Sequence, residues 1–155
     1  MSELVWIRSH VEQLLEHIWN VCRVVPDADG DYPFRHGTAA CWVAVLPTAP
    51  VMVRVFAHAA EDLTPSLRLF KELNDIERRA LSCAVVLEGD AVVVSQTLSP
   101  IGLRTPVLEQ AVNAISGVAE DIGVLLAALF GGQTPYPAEV LSDSEDAPPG
   151  SAGPF

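Results

Sequence analysis

Positive charge is scarce in this sequence. Its 155 residues hold nine Lys and Arg against 20 Asp and Glu, for a formal net charge of −11 and a pI of about 4.5. Lys71 is the only lysine. So few cations argue against a nucleic-acid partner, because backbone phosphates must be neutralised by Lys and Arg. They argue equally against an anionic membrane surface. Long apolar runs are lacking too. The longest, from Ile122 to Phe130, is too short to span a bilayer, and Glu120 and Asp121 interrupt the stretch before it. The Met1-Ser2-Glu3 start has no basic leader and no glycine for myristoylation, and no prenylation box follows at the other end. A cytoplasmic protein without membrane insertion is predicted. Cysteine is sparse: Cys22, Cys41 and Cys83 are odd in number, far apart and set among apolar neighbours. They are expected as reduced core thiols.

Catalytic signatures are also missing. The sequence has no nucleophile elbow, phosphate-binding glycine loop or dinucleotide fingerprint. Asp27, Asp29 and Asp31 alternate like the start of a calcium loop. The places that need Gly and a bidentate Glu hold Tyr32 and Thr38 instead, so a solvated acidic loop is expected. His10, His17, His36 and His58 show no zinc spacing with one another or with a cysteine. The acid pairs Glu61-Asp62 and Glu120-Asp121 belong to solvated faces, the first also favouring a helix start by its charge. No enzyme, metal or cofactor is predicted.

What is present is ample apolar material, 50% of residues, arranged with clear periodicity. A first helix is expected from Glu3 to about Cys22. Ser2 caps it, and Leu4, Ile7, Val11, Leu14 and Ile18, widened by Leu15 and Trp19, form its stripe. Three strands follow at Tyr32–His36, Ala39–Leu46 and Val51–Ala57. In the third, Val51, Val53 and Val55 alternate with Met52, Arg54 and Phe56. Thr64-Pro65 signals the start of a second helix with Leu67, Phe70 and Leu73 on one face and Asn74 as its stop. Ala80–Leu87 and Ala91–Leu98 form a hairpin over Glu88-Gly89-Asp90, with Leu81, Cys83, Val85 and Leu87 on one face. Thr105-Pro106 opens the last helix and Gly131 closes it. Its expected core stripe is Leu108, Val112, Ile115, Val118, Ile122, Leu125 and Leu129. Gly117, Gly123 and several alanines flank that stripe as small positions that allow close approach, and Val124 and Ala128 replace the polar side toward the end, suited to tight packing within the domain or to a helix-mediated dimer. The fold class is α+β: an antiparallel sheet of about five strands with helices mainly on one face, in the order α-β-β-β-α-β-β-α.

From Gln133 the composition changes to QTPYPAEVLSDSEDAPPGSAGPF, rich in Pro, Ser, Gly and acids and free of Lys and Arg. Residues 1–132 are expected to form the domain and 133–155 a disordered acidic tail, with Pro135 and Pro137 holding its first residues extended. The domain alone keeps 16 acids against nine bases, a net −7. An inert tail is expected; a recognition segment or self-ligand using Tyr136, Val140-Leu141 and Phe155 is the alternative.

The stretch LFKELNDIERRALSCAVVLEGDAVVVSQTLSPIGLRTPVLEQAVNAISGVAEDIGVLLAALFGG, residues 69–132, resembles the YbjN-like family. The likeness lies in a helix ending in Asn74, a hairpin over Glu88-Gly89-Asp90 and a long helix ending at Phe130-Gly131-Gly132. That family is related in fold to the type III secretion chaperones and belongs with peptide-binding chaperone-like domains common in actinobacteria. The resemblance implies no enzyme activity. It implies a one-sided sheet, often paired as a homodimer, that engages extended segments of a client protein or peptide. On that reading Trp42, Met52, Arg54 and Phe56 form a partner-binding face. The opposing expectation is that the first helix or the tail covers them. A regulatory module binding a folded signalling partner is a second function class, and a small-ligand binder or enzyme a third.

Overall fold

The structure is a computed structural model that describes residues 2–138. Its elements are α1 (Glu3–Trp19), β1 (Tyr32–His36), β2 (Ala39–Leu46), β3 (Met52–Ala60), α2 (Leu67–Arg79), β4 (Ala84–Glu88), β5 (Ala91–Leu98) and α3 (Thr105–Phe130). All five strands form one antiparallel sheet in the spatial order β1-β2-β3-β5-β4. The expected α+β class and element order are what the chain adopts.

Period-two burial sets the sheet's two faces. Val53, Val55, Ala57 and Ala59 of β3 point into one core with Cys41, Val43 and Val45 of β2 and Val92 and Val94 of β5. The same cluster receives Ile7, Val11, Leu14 and Leu15 from α1, Leu69, Leu73 and Ile76 from α2, and Leu108, Val112 and Ile115 from α3. All three helices therefore cover one face. α3 crosses β3, β5 and β2, α1 lies toward β2 and α2 toward β4. By length and composition α3 is long and apolar enough to cross a bilayer. The burial of its inner stripe makes it the core helix of this sheet.

Several boundaries differ from the sequence expectation, each for a local reason. α1 stops at Trp19 because Asn20 takes the left-handed conformation at φ 52 and its N–H bonds back to Glu16 and His17 carbonyls. Cys22 thus leaves the helix and is exposed, so only Cys41 is a buried thiol and Cys83 is half-buried. Burial pushes the Cys41 thiol up to about 12, and burial together with Glu77 raises that of Cys83.

Thr64-Pro65 does not start α2. Leu63 is buried and its N–H is held by the Asp90 carbonyl at 2.9 Å, which keeps this link extended. Ser66 caps the helix instead, its Oγ accepting from Leu69 N–H at 3.1 Å. The buried stripe is Leu69, Leu73 and Ile76, so the helix continues through Asn74 while Leu67 and Phe70 face solvent. With α2 beginning at Leu67, Glu61 and Asp62 lie outside its first turn. β4 starts only at Ala84, leaving Leu81 almost fully exposed. At α3 the cap is Arg104, which makes no side-chain cap bond, and Thr105 is already helical.

The largest difference lies in the second half of α3. The bulky residues Leu125 and Leu129 are exposed, Val118 and Ile122 are half-buried, and Ala119, Gly123 and Leu126 face the sheet. Gly123 explains this rotation. A Cβ there would run into the carbonyl of Ala59, at the register shift of β3. The helix backbone thus rests directly on the strand. Gly117, by contrast, has open space around its missing side chain. Within the chain the close approach falls at Gly123 rather than at Gly117. Gly123→Ala should therefore cost about 1–3 kcal/mol through forced backbone displacement. Gly117→Ala should stabilise by about 0.5–1 kcal/mol through better helix propensity. Urea unfolding of the two variants checks the contrast.

Candidate peptide-binding face

Strand alternation aims the remaining side chains away from the helices. Trp42 on β2 stands opposite Phe56 on β3, and Phe56 stands opposite Ser95 on β5. One register step along, Ala44 faces Arg54, and one further, Leu46 faces Met52. In the other direction Ala40 faces His58. Trp42, Met52, Arg54 and Phe56 are thus brought together on the helix-free face, and all four are half-buried. Trp42 and Phe56 stack with centroids 5.2 Å apart and rings 15° from parallel. His58 tilts against Trp42 at 4.9 Å. The small residues Ala40, Ala44 and Ser95 beneath them are buried although no helix lies over them. The large side chains roof them.

α1 does not cover this face, since its stripe belongs to the opposite core. The chain after α3 reaches its margin. Gln133 and Glu61 exchange backbone hydrogen bonds at 3.0 and 2.7 Å, and Tyr136 N–H donates to Thr38 at 3.1 Å. The Arg35 guanidinium lies 4.3 Å from the Tyr136 ring centre. The domain's hydrogen-bonded contacts therefore run past Gly132 to Tyr136. The expected disordered tail, with Val140-Leu141 and Phe155, lies from residue 139 onward outside the described residues.

Arg54 gives the face its charge. Its guanidinium lies 4.9 Å from the Phe56 ring centre and donates from Nη2 to Glu88 Oε1 at 3.3 Å. Glu88 belongs to the far end of β4, beyond β5. The pair is unequal, with the Arg54 side chain 26% exposed and that of Glu88 55%. So wet a pair contributes about 0–1 kcal/mol. His58 Nδ1 pairs with Glu61 Oε1 at 3.2 Å.

Sequence reasoning missed His58, because the third strand was expected to stop at Ala57. Continued alternation after Phe56 was the signal for it. Glu88 had no local signal, since its pairing depends on the strand order.

Other candidate residues are dispersed. Asp27 Oδ1 accepts from Asp29 and Asp31 N–H, both at 3.0 Å, so it closes its own turn. Burial, then Asp27 and Asp29, raise the Asp31 carboxyl above the usual carboxylate range. His10 stacks on Trp6 and bonds the Leu103 carbonyl at 2.9 Å. His36 pairs with Glu120 at 2.9 Å, tying the β1–β2 turn to α3. Among the described residues no group of three or more His, Cys, Asp or Glu is placed to hold a metal ion. Gly117, Val124 and Ala128 lie on the outer side of α3, where Val124 and Ala128 are exposed beside Leu125 and Leu129. That is a second apolar surface, separate from the sheet face.

Comparison with known proteins gives this geometry a context. Residues 6–138 match the family TY-Chap1, described as "T3SS (YopN, CesT) and YbjN peptide-binding chaperone 1". The chain belongs to this family. Among solved structures it is similar to the "Crystal Structure of the ExsC-ExsE Complex", at 15% identity and a TM-score of 0.62, covering 77% of this chain and 95% of that one. That likeness is one of fold. No curated protein matches. Membership of a peptide-binding chaperone family points to a binding role with a protein or peptide partner.

The stacked pair gives a direct test of the platform. In a double-mutant cycle, Trp42→Ala and Phe56→Ala should show a coupling of about 0.5–1.5 kcal/mol in urea unfolding. Additive losses would mean that the two rings do not support each other in solution.

Proposed function

We propose that this chain is a non-catalytic peptide-binding chaperone or adaptor that holds an extended client segment against the open sheet face, on Trp42, Met52, Arg54 and Phe56. The carrying observation is a half-buried aromatic pair on a sheet face that none of the three helices covers. Large apolar side chains left on a solvent-facing sheet are a recognition surface in waiting. Rigid aromatic rings give contact area at little cost in side-chain entropy. The client's backbone is engaged while its side chains find the platform, as in strand-like peptide recognition.

The protein works as a homodimer in this reading. The outer side of α3, around Gly117, Val124 and Ala128, is the copy-to-copy contact, leaving both sheet faces free. A cytoplasmic setting accords with three cysteines that form no disulfide.

The test uses reduced, carboxymethylated α-lactalbumin as a permanently unfolded polypeptide, followed by fluorescence polarisation, with light scattering for mass. The wild type should bind it as a dimer. Phe56→Ala and Trp42→Ala should each weaken binding about tenfold or more while leaving the mass unchanged. Val124→Glu should halve the mass and leave the platform intact. Binding that is indifferent to Trp42 and Phe56 would remove the open face from the mechanism.

A further inference from the structure

Arg54 lies at the centre of the open face, between Ala44 on β2 and Thr97 on β5. A guanidinium carries five N–H donors in a planar fork. Among the described residues only one of them meets an acceptor, the Nη2 donor that binds Glu88. The rest of the fork, with Nε and Nη1, meets no acceptor among the described residues and lies beside the Trp42–Phe56 stack. The other arginine on this face, Arg35, donates from Nε to the Gly37 carbonyl and faces Tyr136. The acids sit at the rim. Glu88 is at the hairpin end of β4, and Glu61 follows β3 and is held by His58. The middle of the face is therefore cationic, although the chain carries a net −11.

Resting on the proposed function, we propose that the open face is selective for extended segments bearing a carboxylate beside a large apolar side chain. The client carboxylate takes the Arg54 fork in a bidentate bond, which the single Glu88 contact does not provide. The apolar neighbour stacks on Trp42 and Phe56. Glu88 is a placeholder: it keeps Arg54 drawn over Phe56 in the free protein and yields to the client, being more than half in solvent. A segment without an acid leaves Arg54 lying on Phe56 and loses part of the platform. Net charge alone would favour basic segments through long-range attraction. The fork reverses that preference at the anchor point.

Panning a phage-displayed random heptapeptide library on the full chain tests this. On the wild type, the enriched sequences should place Asp or Glu within two positions of Phe, Trp, Leu or Met. Arg54→Gln should keep the apolar enrichment and lose the acid, and Arg54→Lys, which keeps the charge without the fork, should retain only a fraction of it. The best peptide, synthesised, should bind Glu88→Gln severalfold more tightly than wild type. Apolar enrichment without acid on the wild type, or acid enrichment that survives Arg54→Gln, overturns the selectivity while leaving the chaperone reading standing. No enrichment on any variant overturns both.

Discussion

The contact between Gly123 of α3 and the Ala59 carbonyl of β3 governs the rest of the molecule. It sets the helix backbone directly on the central strand. With no side chain between them, the turns before Gly123 present the small residues Ser116 and Ala119 to the sheet, and Leu126 fills the turn after it. The helix is then wide enough in its footprint to cross β2, β3 and β5, with α1 and α2 filling the flanks. Every helix is used on one side. The other side of the same strands is left to cover itself with its own side chains. Among the described residues, Trp42, Phe56, His58 and Arg54 lie over alanines and a serine where no helix does.

This arrangement ties stability to function without making them the same thing. The helix-covered face supplies the core, with Val53, Val55, Val92 and Val94 fully buried. The open face contributes less burial, and its single long-range charge contact is wet and weak. Side chains so placed can be rearranged by a partner at small cost. The outer side of α3 is apolar for a different reason: bulky residues were turned outward when Gly123 took the inward position.

Much of the architecture was legible in the residues, and the failures share a cause. Strands β1, β2 and β5 were legible as β-rich runs between turn residues, and the two faces of β3 by period-two alternation, neither of which needs knowledge of what lies opposite. The separation of Val51, Val53 and Val55 from Met52, Arg54 and Phe56 follows from the same rule. What misled were signals that are locally valid but overruled at a distance. Thr64-Pro65 is a sound helix start, yet the Asp90 carbonyl holds Leu63 in an extended link. The leucines of α3 make the stronger stripe by size, yet the fit at Ala59 selects glycine and alanine. Cys22 has apolar neighbours in sequence, yet lies past the left-handed Asn20 and faces solvent. The site was legible as a face and illegible as a charge arrangement, because joining Arg54 to Glu88 requires the order β3-β5-β4.

Membership of a peptide-binding chaperone family supports a protein or peptide partner, and the helix-free aromatic pair is the reason for the proposal that clients are held on the sheet and not on the helices. The most direct measurement is a nuclear magnetic resonance titration of the isotope-labelled protein with an unfolded polypeptide. The account predicts that the Trp42 indole N–H and the amides of β2 and β3 around Phe56 shift first and most, with the helices little changed. Shifts confined to α1 and the outer side of α3, with the Trp42 signal unmoved, would contradict it.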